Sequence, residues 1–288
     1  MMIAEHKVLA CVDQSRFADY VADYSAWAAC RIGAPLEFLH VIDRHPEVAS
    51  GGDHSGAIGM DAQEMLLAEL AEQDEVKSRA AREQGRVFLN RLRERALLAG
   101  VAAPDVRQRY GSLHQTLAEQ EADVGLFVLG RRGESADATQ RDLGRNVEQV
   151  VRALHKPILT VTAAFSEPRR ALLAFDGGNV TRRGVEIIAA SPLFRGMPVH
   201  LVMSGKEKPN AAAQLDWARQ TLEAAGFDAP ASLIPGDAES IIARSIQELS
   251  VDMLIMGAYS HSPLRSLLLG SKTSDLLRAA RVPTLLLR

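Results

Sequence analysis

Two stretches of this chain carry residue types that can hold an anion. The second of them, residues 251–288, reads VDMLIMG-AYS-HSPLRSLLL-GSKTSDLLRAAR-VPTLLLR. A short apolar run closes on Gly257, a loop containing Ser260 follows, and Gly270-Ser271-Lys272-Thr273 opens an amphipathic helix before a second apolar run from Val282. A backbone that leaves a parallel strand through glycine and enters a helix through Gly-Ser brings free N–H groups, a positive dipole end and a hydroxyl to one place. That is the chemistry of phosphate binding. Residues 124–162, VGLFVLG-RRG-ESADATQRDL-GRNVEQVVRALHK-PILTVT, are a worn copy. Gly130 and Gly133 survive there, but ten residues precede Gly144, and Arg145 and Asn146 replace the Ser or Thr. Arg131, Arg132 and Arg145 remain as groups able to hold an anion. Each copy is matched by an aspartate closing an earlier apolar run, Asp13 in CVDQS and Asp176 in AFDGG. Such a carboxylate is either a helix N-cap or a ligand contact at the C-terminal edge of a parallel sheet. Finding it twice, in register with a glycine loop, favours the ligand.

Neighbouring chemistries are excluded by the same residues. GSKT resembles part of a Walker A loop, but Arg265 stands where that pattern needs glycine, and Ser271 rather than lysine follows Gly270. No Ser/His/Asp set or metal-ligand spacing emerges. His40 and His155 read as structural histidines. The acids of the closing stretch, Asp252 and Asp275, lie inside a strand and a helix, away from any water to be activated. Cys11 and Cys30 are expected to be buried free thiols.

The elements that must position these residues alternate strand and helix. In the first half, strands are expected at residues 7–13, 35–43, 105–110, 124–130 and 157–162. Helices are expected at 16–32, 61–98, 113–121 and 143–154. After a polar linker at 163–170 the order repeats, with strands at 171–176, 198–204, 231–235, 251–257 and from Val282, and helices from Thr181, at 211–225 and at 238–249. Near-continuous apolar runs such as LEFLHVI indicate a parallel sheet covered on both faces. The duplication is countable. Asp13 to Asp176 and Pro35 to Pro198 are offset by 163, whereas Gly111 to Gly236, Gly130 to Gly257 and Pro157 to Pro283 are offset by 125, 127 and 126. The first half therefore holds 163 − 125 = 38 extra residues, the loop GGDHSGAIG and the front of a long charged helix. They form either a solvated insertion or a partner-docking or lid element. A net charge of −3 in 288 residues argues against a general nucleic-acid binder. There is no apolar run of membrane-spanning length and no signal-peptide pattern, so a cytoplasmic location is expected.

Asp176 together with the spacing from Gly257 through Ser260 to Gly270-Ser271 resembles the universal stress protein family, whose members carry G-x2-G-x9-G-[S/T] at this place and bind ATP with it. The resemblance covers nearly the whole chain. It implies an α/β fold of two tandem doubly wound five-stranded parallel sheets, Rossmann-like in order 3-2-1-4-5. The domains would be residues 1–164, with a degenerate nucleotide loop (Asp13, Gly130, Gly133, Gly144), and residues 169–288, with a near-intact motif. Asp176 would contact the adenosine. Amides around Gly257, Ser260 and Gly270 to Thr273, including Lys272, with the Ser271 hydroxyl, would hold ribose and phosphates. Ser260 departs from the motif by replacing its second glycine.

Family homodimers pair the fifth strands of two copies antiparallel, so residues 158–162 and 284–287 are expected to pair within this chain as a pseudo-dimer, leaving room for a further homodimer. The implied function is a stress-response protein that binds ATP, with magnesium as its companion ion, in the second half. It would act on protein partners and would not be an enzyme of turnover. The residues leave two alternatives: a scaffold that does not bind ATP or holds another small ligand, and a slow ATPase or phosphotransferase.

Overall fold

The computed structural model describes residues 6–42, 60–131, 145–205, 210–258 and 280–288, with side chains of the long second helix described from residue 79. The first half runs β1 (Lys7–Cys11), α1 (Ala18–Ile32), β2 (Leu36–Ile42), α2 (Met60–Leu98), β3 (Asp105–Tyr110), α3 (Leu113–Gln120), β4 (Val124–Gly130), α4 (Arg145–Ala153) and β5 (Ile158–Val161). The second half runs β6 (Ala171–Ala174), α5 (Asn179–Ala190), β7 (Val199–Gly205), α6 (Ala211–Ala224), β8 (Ala231–Pro235), α7 (Ala238–Glu248), β9 (Met253–Gly257) and β10 (Thr284–Leu287).

The strands form one ten-stranded sheet in the order β3-β2-β1-β4-β5-β10-β9-β6-β7-β8. Each half thus contributes the order 3-2-1-4-5, and every pairing within a half is parallel. Among the described residues the one antiparallel pairing joins the halves, with Thr284 opposite Thr160, Leu285 opposite Leu159 and Leu286 opposite Ile158. Leu285 and Leu159 are also equivalent in the duplication, since 285 − 159 = 126 matches the Pro157-to-Pro283 offset. An approximate two-fold axis therefore passes through this leucine pair, and the expected intrachain pseudo-dimer is present. Closing the two fifth strands on each other removes two apolar edges that would otherwise invite aggregation.

Because helices cover both faces, the strands are apolar throughout. One core layer lies beneath α1, α2, α5 and α6 and runs unbroken from Val8 and Phe38 through Leu159 and Leu285 to Leu201. The opposite layer, beneath α3, α4 and α7, runs from Leu9 and Phe127 through Ile158 and Leu286 to Leu254. The halves also meet away from the sheet. Arg31, in the last turn of α1, donates through Nε to the Leu193 carbonyl at 3.0 Å and through Nη2 to the Arg195 carbonyl. Tyr24 of α1 stacks edge-on against Phe165 in the connection between halves, with centroids 4.9 Å apart.

One of the two thiols differs from expectation. Both are free, but only Cys11 is buried, where burial, with the Glu37 charge adding to it, pushes its ionisation well up. Cys30 is exposed, its sulfur 3.9 Å from the Ala99 carbonyl beside the end of α2. Its place near the C-terminus of α1 puts it beyond the cover of the sheet. His40 is buried, as expected, edge-on to Phe88. Among the described residues no helix is long and apolar enough to cross a membrane.

Candidate nucleotide crevice

In an open α/β sheet a ligand crevice forms where neighbouring strands send their connections to opposite sides. Here that point lies between β6 and β9 in the second half, and between β1 and β4 in the first. The register brings Ala174 beside Met256 and Cys11 beside Leu129, so each aspartate emerges next to the glycine that ends the neighbouring strand. The sequence-predicted partners Asp176 and Gly257, and likewise Asp13 and Gly130, are therefore brought together.

The second-half crevice is built tightly. Asp176 is exposed at its rim, and Oδ1 accepts from the Gly178 N–H at 2.8 Å and the Thr181 hydroxyl at 2.6 Å. The carboxylate thus shapes the loop that leads into α5, which begins only three residues later at Asn179. Gly177 between them has φ +74°, and a Cβ there would lie 2.0 Å from the Gln214 Oε1 of α6. The left-handed backbone favours glycine, while the overlying Gln214 side chain could swing aside. At Gly257 a Cβ would make ordinary van der Waals contact, 3.4 Å from both the Thr181 Cγ2 and the Val180 Cγ1. The strand end and the first turn of the helix thus lie beside each other. Arg182, one residue along α5, lies 4.0 Å over the Trp217 ring, which fixes the outer face of this turn on α6.

The first-half crevice is assembled differently. Asp13 is half-buried and turns its Oδ1 onto Ser15, 3.2 Å from the N–H and 2.5 Å from the hydroxyl. Helix α1 starts at Ala18, two positions later than α5 once the 163-residue offset is applied, since 179 − 163 = 16. Gly130 ends β4, and the next residue is put to a use the sequence did not suggest. Arg131 is not available to an anion: it is buried and its guanidinium donates to the carbonyls of Ala280 and Val282 in the other half. Of the remaining residues named from sequence, Gly133, Gly144, Ser260, Gly270, Ser271, Lys272 and Thr273 lie outside the described residues. The Asp-loop contacts of Thr181 and Gln214 were missed; the Gly-Gly pair after Asp176 was the available signal that another element comes close.

A model of the Universal stress protein family matches residues 5–162 and 190–288. Universal stress protein Slr1230 of Synechocystis sp. is similar to the chain, 33% identical over 284 residues, covering 98% of this chain and 99% of that protein. Among solved structures, a universal stress protein from Archaeoglobus fulgidus DSM 4304 matches with a TM-score of 0.69 at 17% identity, covering 98% of this chain and 96% of its own. A functionally unknown protein from Pseudomonas aeruginosa PAO1 matches with a TM-score of 0.63 at 19% identity, covering 99% and 92%.

Proposed function

The chain belongs to the universal stress protein family, and from that premise we propose that it binds one ATP, in its second half, as a stress-response module that senses or protects rather than turns substrate over. The domains of this reading are residues 1–164 and 169–288. One observation carries the choice of half. At the second-half switch point, an exposed Asp176 shapes a glycine loop that delivers the start of α5 against Gly257, whereas Asp13 is turned onto its own Ser15. The residues present fit a nucleotide: a carboxylate at the rim can accept from hydroxyl or amino groups of sugar or base, and Gly257 lets the strand end come up beside the first turn of α5. From the sequence, Gly270, Ser271, Lys272 and Thr273 would supply amides, a hydroxyl and a cation to the phosphates.

Turnover is expected to be absent or slow, because phosphoryl transfer draws its rate from preorganised cations and metal-holding acids. In the closing stretch the acids are Asp252 and Asp275. Asp252 is already engaged, its Oδ2 accepting from the N–H groups of Arg169 and Arg170 at 2.8 and 3.0 Å.

Calorimetry on Gly270→Val and Gly144→Val tests the reading. The first should abolish ATP binding by placing a branched side chain against the phosphates, and the second should leave it nearly unchanged. Loss on changing Gly144 alone would put the ligand in the other half. No heat with the wild-type chain would favour a scaffold without ATP.

A further inference from the structure

The outer strands of the ten-stranded sheet, β3 and β8, are equivalent in the duplication but are guarded unequally. β3 carries Asp105, Arg107 and Arg109, whereas β8, Ala231–Pro235, carries no charge. Unpaired backbone at a sheet edge is a template for another strand, and charges or a covering helix are the usual deterrents. With the 125-residue offset, Gln108 and Tyr110 of β3 correspond to Leu233 and Pro235 of β8. Helix α2 lies over the first pair: a Cβ on Gly85 would run into the Gln108 amide, and Arg82 donates through Nε to the Tyr110 hydroxyl at 3.1 Å. The helix in the equivalent place, α6, has 14 residues against 39. Leu233 is left 44% exposed.

The backbone fixes which groups the β8 edge offers. The Leu201 N–H of β7 donates to the Pro230 carbonyl at 2.8 Å, with Leu201 in register with Ala231. In a parallel ladder this turns the N–H and C=O of Ser232 and Ile234 towards β7, and those of Ala231 and Leu233 away from it. The Pro235 carbonyl also faces outwards, and the donor that proline lacks falls on the open side, where it costs no bond to β7. The side chains of Ala231, Leu233 and Pro235 share one face of the strand. Against a second β8 running antiparallel, Leu233 exchanges both bonds with Leu233 of the other copy, and each Ala231 N–H meets a Pro235 carbonyl. Every outward donor of the edge then finds an acceptor, the exposed leucines cover each other and no charge is buried. The edge is complementary to itself, as a two-fold contact requires. A β3 edge as mate would instead bring Asp105, Arg107 and Arg109 beside this apolar strand. The chain already joins its halves in the same manner, since the uncharged strands β5 and β10 pair antiparallel about Leu159 and Leu285.

We propose that β8 is a docking edge for the β8 of a second copy of this chain, paired antiparallel about a two-fold axis at Leu233, so that two ten-stranded sheets join end to end. The edge has five residues, which places the contact among the small interfaces below about 1,200 Å². The dimer therefore forms and separates with chain concentration, and it is independent of any nucleotide.

Sedimentation velocity over a dilution series tests this on the wild type, Leu233→Lys and Arg109→Glu. The wild type should pass from monomer to dimer as concentration rises. Leu233→Lys sets two like charges opposite each other and should raise the dissociation constant about tenfold or more, with thermal melting unchanged. Arg109→Glu, on β3, should leave the dimer as it is. A cross-link reads the position. The Cα atoms of a bonded antiparallel pair lie about 5.5 Å apart, within disulfide reach. In a Cys30→Ser chain, Leu233→Cys should therefore give a disulfide-linked dimer under mild oxidation by diamide, and Arg109→Cys should not. A wild type that stays monomeric at its highest soluble concentration overturns the proposal. So does a dimer equally strong in Leu233→Lys, or one weakened by Arg109→Glu. Should Leu233→Lys not fold, the cross-link decides alone, and a Leu233→Cys chain that stays unlinked overturns the pairing.

Discussion

At the end of β1 the chain reads Asp13-Gln14-Ser15, and at the end of β6 it reads Asp176-Gly177-Gly178. The same carboxylate in the same fold position has been put to different work. Asp13 accepts from the N–H and the hydroxyl of the serine two residues on, in a local turn. Asp176 instead organises a loop with a left-handed glycine and a helix that begins earlier. The residue after the neighbouring strand differs in the same sense: Arg131 is buried into the other half, where the second half has Ala258. A duplicated fold can thus keep both crevices geometrically while a residue beside one of them bonds the backbone of the other half.

The comparison can be sharpened first at the axis, where the halves should be alike. Leu159 and Leu285 are both essentially buried and face each other across the antiparallel pair. Leu159→Ala and Leu285→Ala should each cost about 2–5 kcal/mol in denaturant unfolding, and the two costs should agree within about 1 kcal/mol. A clear inequality would break the equivalence of the fifth strands.

A second test uses a place where the halves have exchanged bulk. A Cβ on Gly184 of α5 would lie 2.2 Å from the Leu287 Cδ1. The first-half equivalents of this pair are Val21 (184 − 163) and Val161 (287 − 126). The second half is small on the helix and large on the strand; the first half is valine at both positions. Gly184→Val alone should destabilise by about 1–3 kcal/mol through overpacking, and adding Leu287→Val should recover most of it. A double variant no better than the single one would show that the two layers are not interchangeable.

The smallest effect concerns the first half alone. Burial raises the ionisation of Glu121, but the N–H groups of His155 and Lys156 and the His155 ring outweigh it and leave the carboxyl net lowered. A lowered carboxyl contributes stability that is present above the ordinary carboxylate range and lost as pH falls through its own pKa. Glu121→Gln should therefore cost about 1 kcal/mol at pH 7, and the gap to wild type should close below about pH 4. A gap independent of pH would mean that the charge of Glu121 plays no part in holding the approach to β5.

Alternation, apolar runs and a countable repeat made the two parallel-sheet halves and the approach of Asp176 to Gly257 legible, whereas the strand order and the meeting of 158–162 with 284–287 followed from the resemblance to the universal stress protein family. The helix starts were less legible: α5 begins at Asn179 rather than Thr181 because Asp176 caps the loop from outside the helix. What could not be read were contacts between the halves. Arg31 reaching the Leu193 carbonyl, Tyr24 against Phe165 and Arg131 crossing to Ala280 join residues 141 to 162 apart, with no periodicity to announce them. An arginine in a glycine loop reads as an anion ligand until the structure supplies another partner.

The central claim is that the two crevices are unequal, and the stoichiometry of ATP on the wild-type chain tests it most directly. Equilibrium dialysis at saturating nucleotide should give one ATP per chain. Two equivalent sites per chain, or none, would contradict the account.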